Sequence, residues 1–144
     1  MSYATRADAI NLYGTEYVLS AVTREGSPST RSLEQGLEEA SSEIDSYAAI
    51  QYTTPMVFTT VPASLKRYCI DIAIYVASAD AGSVTEEKRK RYEDAIAWCK
   101  MLAKEQVVIP GAETPAPPTE GAASASAQYV TSPRLFSRTN MDGL

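Results

Sequence analysis

The sequence predicts an all-α fold: a small helical bundle of three to five helices, followed by a disordered linker and an extended C-terminal arm. Three observations predict it. Apolar residues recur at spacings of three and four along most of the first hundred residues. Start and stop signals for helices bracket those stretches. After Ile109 the composition shifts abruptly to proline and small residues that supply nothing for a core. The expected organisation is therefore a helical domain over 1–109, a Pro/Ala/Ser-rich flexible linker over 110–128 and a C-terminal arm over 129–144.

Each element has a local reason. Thr5-Arg6-Ala7-Asp8 reads as a helix start, with Thr5 capping and Asp8 near the positive end of the helix dipole. Gly14 reads as its stop, and a short helical piece, Glu16 to Val22, follows. Arg24 to Ser29 has loop composition. Leu33, Leu37, Ala40, Ile44 and Tyr47 then fall on one face of a helix expected from about Thr30 to Ile50. Its other face carries Glu34, Gln35, Glu38, Glu39, Ser42 and Asp45, and reads as an acidic, solvated surface.

The segment Tyr52 to Val61 is rich in β-branched residues, but Pro55 and Pro62 argue against a regular strand. It reads as an ordered crossing loop that buries Met56 and Phe58. Pro62 suits a first helical turn. The helix after it is apolar on most sides, through Leu65, Tyr68, Cys69, Ile72, Ala73 and Val76, and is expected at the centre of the bundle. Ser83-Val84-Thr85-Glu86 fits the S-x-x-E capping box. The last long helix runs from there to about Lys104, with Tyr92, Ala95, Ile96, Cys99, Leu102 and Ala103 on its apolar face.

Composition excludes several classes of function. The 144 residues carry a net charge of −5, which argues against general affinity for nucleic acid or anionic membrane. The start MSYATRADAI lacks the basic-then-apolar pattern of a leader, so none is expected. There is no histidine. That removes the commonest general base and the commonest zinc ligand together. No GxGxxG, GxxxxGK[ST], HExxH or GxSxG pattern occurs. Cys69 and Cys99 read as small buried hydrophobes. No catalytic residue, metal or cofactor is expected, and the chain is not expected to be an enzyme.

Two features remain in the folded part. Asp71 sits in the most apolar helix; it is expected at the helix edge, paired with Arg67 one turn earlier or with an arginine from another helix. Lys88-Arg89-Lys90-Arg91 is a basic run flanked by Glu86, Glu87, Glu93 and Asp94. It reads as a solvated face with pairs one turn apart. The alternative is a small DNA-binding regulator that uses this run. Beyond the linker, apolar and basic residues return. Pro133, Arg134, Leu135, Phe136, Ser137 and Arg138 combine a stiffened backbone, two anchor side chains and two cations, the chemistry of a short interface segment.

Several stretches together resemble a known family. These are Tyr3-Ala4-Thr5-Arg6-Ala7-Asp8 with Tyr13-Gly14, and Ala40-Ser41-Ser42-Glu43-Ile44-Asp45-Ser46-Tyr47. They continue with Val61-Pro62-Ala63-Ser64-Leu65-Lys66-Arg67 followed by Asp71-Ile72-Ala73, then Arg91-Tyr92-Glu93-Asp94-Ala95, and the tail 133–138. In that order they resemble the head–tail connector (adaptor) proteins of Mu-like tailed bacteriophages and prophages. The resemblance implies a structural virion protein at the head–tail interface, assembled in the host cytoplasm. It implies a ring of identical subunits matched to a twelve-fold portal, joining the DNA-filled capsid to the neck and tail. Partners would be the portal protein, a neck or tail-completion protein and the subunit itself, with passive proximity to genomic DNA and no membrane. Residues 133–138 would be the portal-binding arm.

Overall fold

The computed structural model describes residues 2–24, 27–28 and 32–116. Five helices build it: α1 (Arg6–Tyr13), α2 (Thr15–Val22), α3 (Leu33–Ala48), α4 (Ala63–Ala81) and α5 (Glu86–Ala103). The all-α expectation holds. The only strands among the described residues are β1 (Thr23–Arg24) and β2 (Ser27–Pro28), one antiparallel pair between α2 and α3 with Thr23 opposite Pro28. Most of the expected linker and all of the arm lie outside the described residues.

Caps set the helix ends. Thr5 and Asp8 form a reciprocal capping box at the start of α1, as expected. Gly14 (φ 86°) breaks the chain between α1 and α2, a conformation that only glycine adopts without strain. α3 is shorter than the expected 30–50, because Ser32 and Gln35 close a second capping box there. At α5 the expected cap is two residues off. Thr85 accepts from the Lys88 amide and is the true cap, while the Ser83 hydroxyl points to the Ala21 carbonyl at 3.4 Å. Gly82 (φ 69°) ends α4, and the Ser83 amide returns to the Ser78 carbonyl at 2.8 Å.

α4 is the central element, packed against α2, α3 and α5. Its fully buried residues include Leu65, Cys69, Ile72, Ala73 and Ala77, in agreement with its all-round apolar sequence. α3 meets it through Leu37, Ala40 and Ile44, each within 2 % of full burial. Close approach of the two backbones requires Gly36: a Cβ there would stand 3.2 Å from the Ala73 carbonyl oxygen. Aromatic stacks join α4 to α5, Tyr68 on Trp98 at 4.6 Å and Tyr75 on Tyr92 at 4.2 Å between ring centroids. Cys69 and Cys99 are buried free thiols, and burial pushes the Cys99 thiol up to about 12. No helix of the structure is long and apolar enough to cross a membrane among the described residues.

The segment after α3 is a loop without regular structure, as expected, with a cis Thr54–Pro55 bond. Met56 is buried in it, but Phe58 is only half-buried. The chain after α5 returns to this loop. The Tyr52 hydroxyl accepts from the Ile109 amide at 2.9 Å, and the Thr53 amide donates to the Glu113 carbonyl at 3.0 Å. The first linker residues, through Glu113, therefore run along the bundle.

Candidate functional site

Asp71 is the first residue to place, because sequence put it at a helix edge. It is instead 5 % exposed, inside the core face of α4. The Tyr13 hydroxyl, 58 residues earlier, donates to its Oδ1. Arg67, the expected partner, stands at 3.9 Å from Oδ2 as a loose second contact. Burial raises the Asp71 carboxyl above the usual range, against the pull of Tyr13, Arg67 and Arg91, with Asp94 adding to the rise. Tyr13 is pushed up to about 12 by its own burial and by the carboxylate it serves.

The basic run divides in two. Arg89 is solvated and pairs with Glu86 and Glu93, as the sequence indicates. Lys88 and Arg91 turn inward, which corrects the solvated-face expectation for both. Lys88 is 5 % exposed and donates to the Ser83 carbonyl at 3.0 Å; burial lowers its pKa. The Arg91 guanidinium lies 4.4 Å from the Tyr13 ring centroid and 5.5 Å from that of Tyr17, while pairing with Glu87. The reason is steric as much as electrostatic: α1 and α2 present two tyrosine faces to α5 just where the run passes. Two of the four cations are thus spent inside the fold, which leaves a poor surface for phosphate contacts.

Two outcomes follow from this cluster. Arg91→Ala should cost about 1–2 kcal/mol in urea unfolding, from lost cation–π and packing contacts, whereas Arg89→Ala should leave the unfolding curve superimposed on that of the parent. Asp71 sets a pH dependence of definite sign. Its folded pKa is raised, so the folded state holds the proton more tightly than the unfolded chain. The stabilisation is complete below the unfolded pKa, about 4, and is lost as pH rises through the folded pKa. Asp71→Asn keeps an acceptor for Tyr13 and removes this titration. Its stability relative to the parent should therefore improve between acid and neutral pH, as read by thermal melts at each pH.

Two further carboxylates have tyrosine partners. The Tyr3 hydroxyl donates to Asp45, which is half-buried and so leaves the acidic face expected of it. Glu43, raised by burial, receives a hydrogen bond from Tyr92. Glu43, Asp45 and Asp71 thus each have their own tyrosine. Among the described residues no group of His, Cys, Asp or Glu is placed to hold a metal.

Two concave surfaces among the described residues bear on function. A groove of about 230 Å³ runs between α1 and α4, with Asn11 and Leu12 on one side and Lys66, Arg67 and Ile70 on the other. Lys66 spans it to Asp8 at 3.0 Å. The second lies where the chain leaves the bundle: a pocket of about 150 Å³ lined by Ser2, Tyr3, Met56, Val57, Phe58 and Val61. The most exposed large apolar side chains among the described residues belong to this same end, Val108 at 72 %, Val57 at 67 % and Ile50 at 61 %. The Tyr52–Ile109 and Thr53–Glu113 hydrogen bonds hold their segments together. Sequence reasoning missed this end, because each residue sits in irregular chain where periodicity carries no signal. Residues 133–138, the expected arm, lie outside the described residues.

The fold and these surfaces can be set beside known proteins. The family described as "Bacteriophage Mu, Gp36" matches residues 3–127, which span all five helices and stop short of 133–138. The "Mu-like prophage FluMu protein gp36" of Haemophilus influenzae is 36 % identical over 106 residues, covering 70 % of this chain and 70 % of that relative. With the match running through all five helices and the residues of the Tyr3–Asp45 and Tyr13–Asp71 pairs, the chain belongs to the Gp36 family of Mu-like phages.

Proposed function

We propose that this protein is a structural, non-enzymatic head–tail connector subunit. It forms a ring of identical copies beneath the portal, and joins the DNA-filled head to the neck and tail. Its C-terminal arm, with Pro133, Arg134, Leu135, Phe136, Ser137 and Arg138, anchors on the portal protein. Leu135 and Phe136 are the buried anchors, and Arg134 and Arg138 fix orientation against carboxylate or carbonyl acceptors.

The observation that carries this reading is the end of the bundle that bears the three most exposed large apolar side chains among the described residues. The linker starts beside Ile50, Val57 and Val108, so this exposed apolar surface and the first linker residues lie at the same end. Membership of a Mu-like phage family supports a role in the particle. A neck or tail-completion protein would then meet the opposite end, where the α4–α5 turn at Gly82 lies. Tethered anchors repeated around a ring supply avidity from individually weak contacts, and tolerate differences in orientation between head and tail.

The test is a truncation after residue 128. The shortened protein is expected to keep the helical circular dichroism and melting behaviour of the full chain, and to lose binding to immobilised portal of the same phage. Unchanged portal affinity would remove the arm from the mechanism.

A further inference from the structure

The pocket at the apolar end has the shape of a site, and nothing in the folded part fills it. Its wall is rigid. The Tyr3 hydroxyl is held at both ends of its hydrogen-bonding capacity, donating to Asp45 and accepting from the Met56 amide at 2.9 Å. Phe58 meets the Tyr3 ring edge-on at 6.0 Å between centroids. A preformed wall lowers the ordering cost of whatever enters. The volume of about 150 Å³ is that of a cavity known to accept one benzene ring, so the occupant is one aromatic side chain.

The chain carries two phenylalanines. One, Phe58, lines the pocket; the other is Phe136, and the remaining aromatic side chain beyond residue 116, Tyr129, would have to desolvate its hydroxyl in a mainly apolar pocket. The linker starts next to the pocket: a Cβ on Gly111 would stand 3.9 Å from the Phe58 ring, and Glu113 is bonded to Thr53. About 23 residues separate Glu113 from Phe136, and a chain of this Pro/Ala/Ser-rich composition spans roughly 25 Å on average. Charge distinguishes the two concavities. Phe136 arrives with Arg134 and Arg138 beside it. The α1–α4 groove presents Lys66 and Arg67, whereas among the described residues no cationic side chain lines the pocket at the apolar end, and Asp45 and Glu113 stand near it.

We propose that the Phe136 ring of the C-terminal arm docks into the Ser2–Tyr3–Met56–Val57–Phe58–Val61 pocket of its own chain. Concentration selects the same chain over a neighbour. A single ring in a shallow pocket makes a site with a dissociation constant on the order of millimolar. A second copy at micromolar concentration leaves such a site empty, while a tethered arm is present at an effective concentration on the order of millimolar. The docked arm is withheld from premature contacts, and a portal that binds it more tightly displaces it. The inference rests on the arm being an anchor segment, not on which partner finally takes it.

The test is a comparison of amide spectra, by nuclear magnetic resonance, of the full chain and its Phe136→Ala variant. Residue 136 follows the five helices by more than thirty positions in sequence, and melting of the variant checks that it folds as the parent does. The expected result is a set of shift changes confined to the amides of Tyr3, Met56, Val57 and Phe58 and their neighbours, with α5 unmoved. The changes should be identical over a wide range of protein concentration. Val57→Arg, at an exposed position, should expel the arm by charge and reproduce the Phe136→Ala spectrum away from residue 57. Coincident spectra of parent and Phe136→Ala at these amides would overturn the proposal. So would shifts that grow with concentration, since they assign the pocket to a second copy. Portal binding separates this inference from the connector reading. If the full chain does not bind portal while the spectra of parent and Phe136→Ala still differ, only the connector reading fails.

Discussion

Replacing both Leu135 and Phe136 by alanine is expected to weaken portal binding by at least about a hundredfold while leaving thermal unfolding unchanged. Anchors of this size each supply about 2 kcal/mol or more when buried at the centre of an interface. The two are adjacent, so their effects are coupled and their sum is not the prediction. In a ring the loss compounds, because every arm is weakened at once and avidity depends on the product of individual contacts. The unfolding curve is expected to hold because the described core is closed by residues of the helical domain, chiefly from α3, α4 and α5. Surface plasmon resonance on immobilised portal reads the first quantity, and differential scanning calorimetry the second.

Leu65→Ala is expected to have the largest effect on stability, about 3–4 kcal/mol. Leu65 is fully buried in the first turns of α4, the helix against which all the others pack. Its removal takes away transfer free energy and leaves a cavity that the helix pairs around it cannot close. For a domain of this size the melting temperature should fall by roughly 10–20 °C, a large part of a stability of about 5–15 kcal/mol. Leu65→Met conserves volume and should cost less than about 1.5 kcal/mol. Chemical denaturation of the three proteins measures both.

The two substitutions separate what holds the bundle from the portal contact proposed for the arm, and the sequence was legible to different depths for each. The bundle follows from local rules. The three- and four-residue spacing of Leu33, Leu37, Ala40 and Ile44 marks a buried face, and these residues are buried. Thr5 and Gly14 mark the ends of α1, where the structure caps it. Local rules also misled where two fits competed. Ser83 satisfies the S-x-x-E spacing, but Thr85, two residues later, has the extended backbone that a cap needs and takes the amide.

Long-range polar pairing was not legible. Asp71 looked like a partner for Arg67 because that pair is one turn apart. Its hydrogen bond comes from Tyr13, and nothing in sequence spacing couples residues 58 apart. Lys88 and Arg91 carry the signature of a solvated run, yet tyrosine faces from α1 and α2 draw them inward. Nine tyrosines in a chain without histidine were the available hint that phenol hydroxyls would serve the buried carboxylates. The apolar end was hidden for a different reason. Ile50, Val57 and Val108 are isolated in irregular chain, and only the fold brings them together beside the root of the linker.

The most direct measurement is electron microscopy of the full-length protein mixed with the portal of its own phage. The account predicts a ring of density coaxial with the portal, with the end bearing Ile50, Val57 and Val108 turned toward it and arm density reaching onto portal subunits. Protein that stays unattached, or that attaches with this end facing away from the portal, would contradict it.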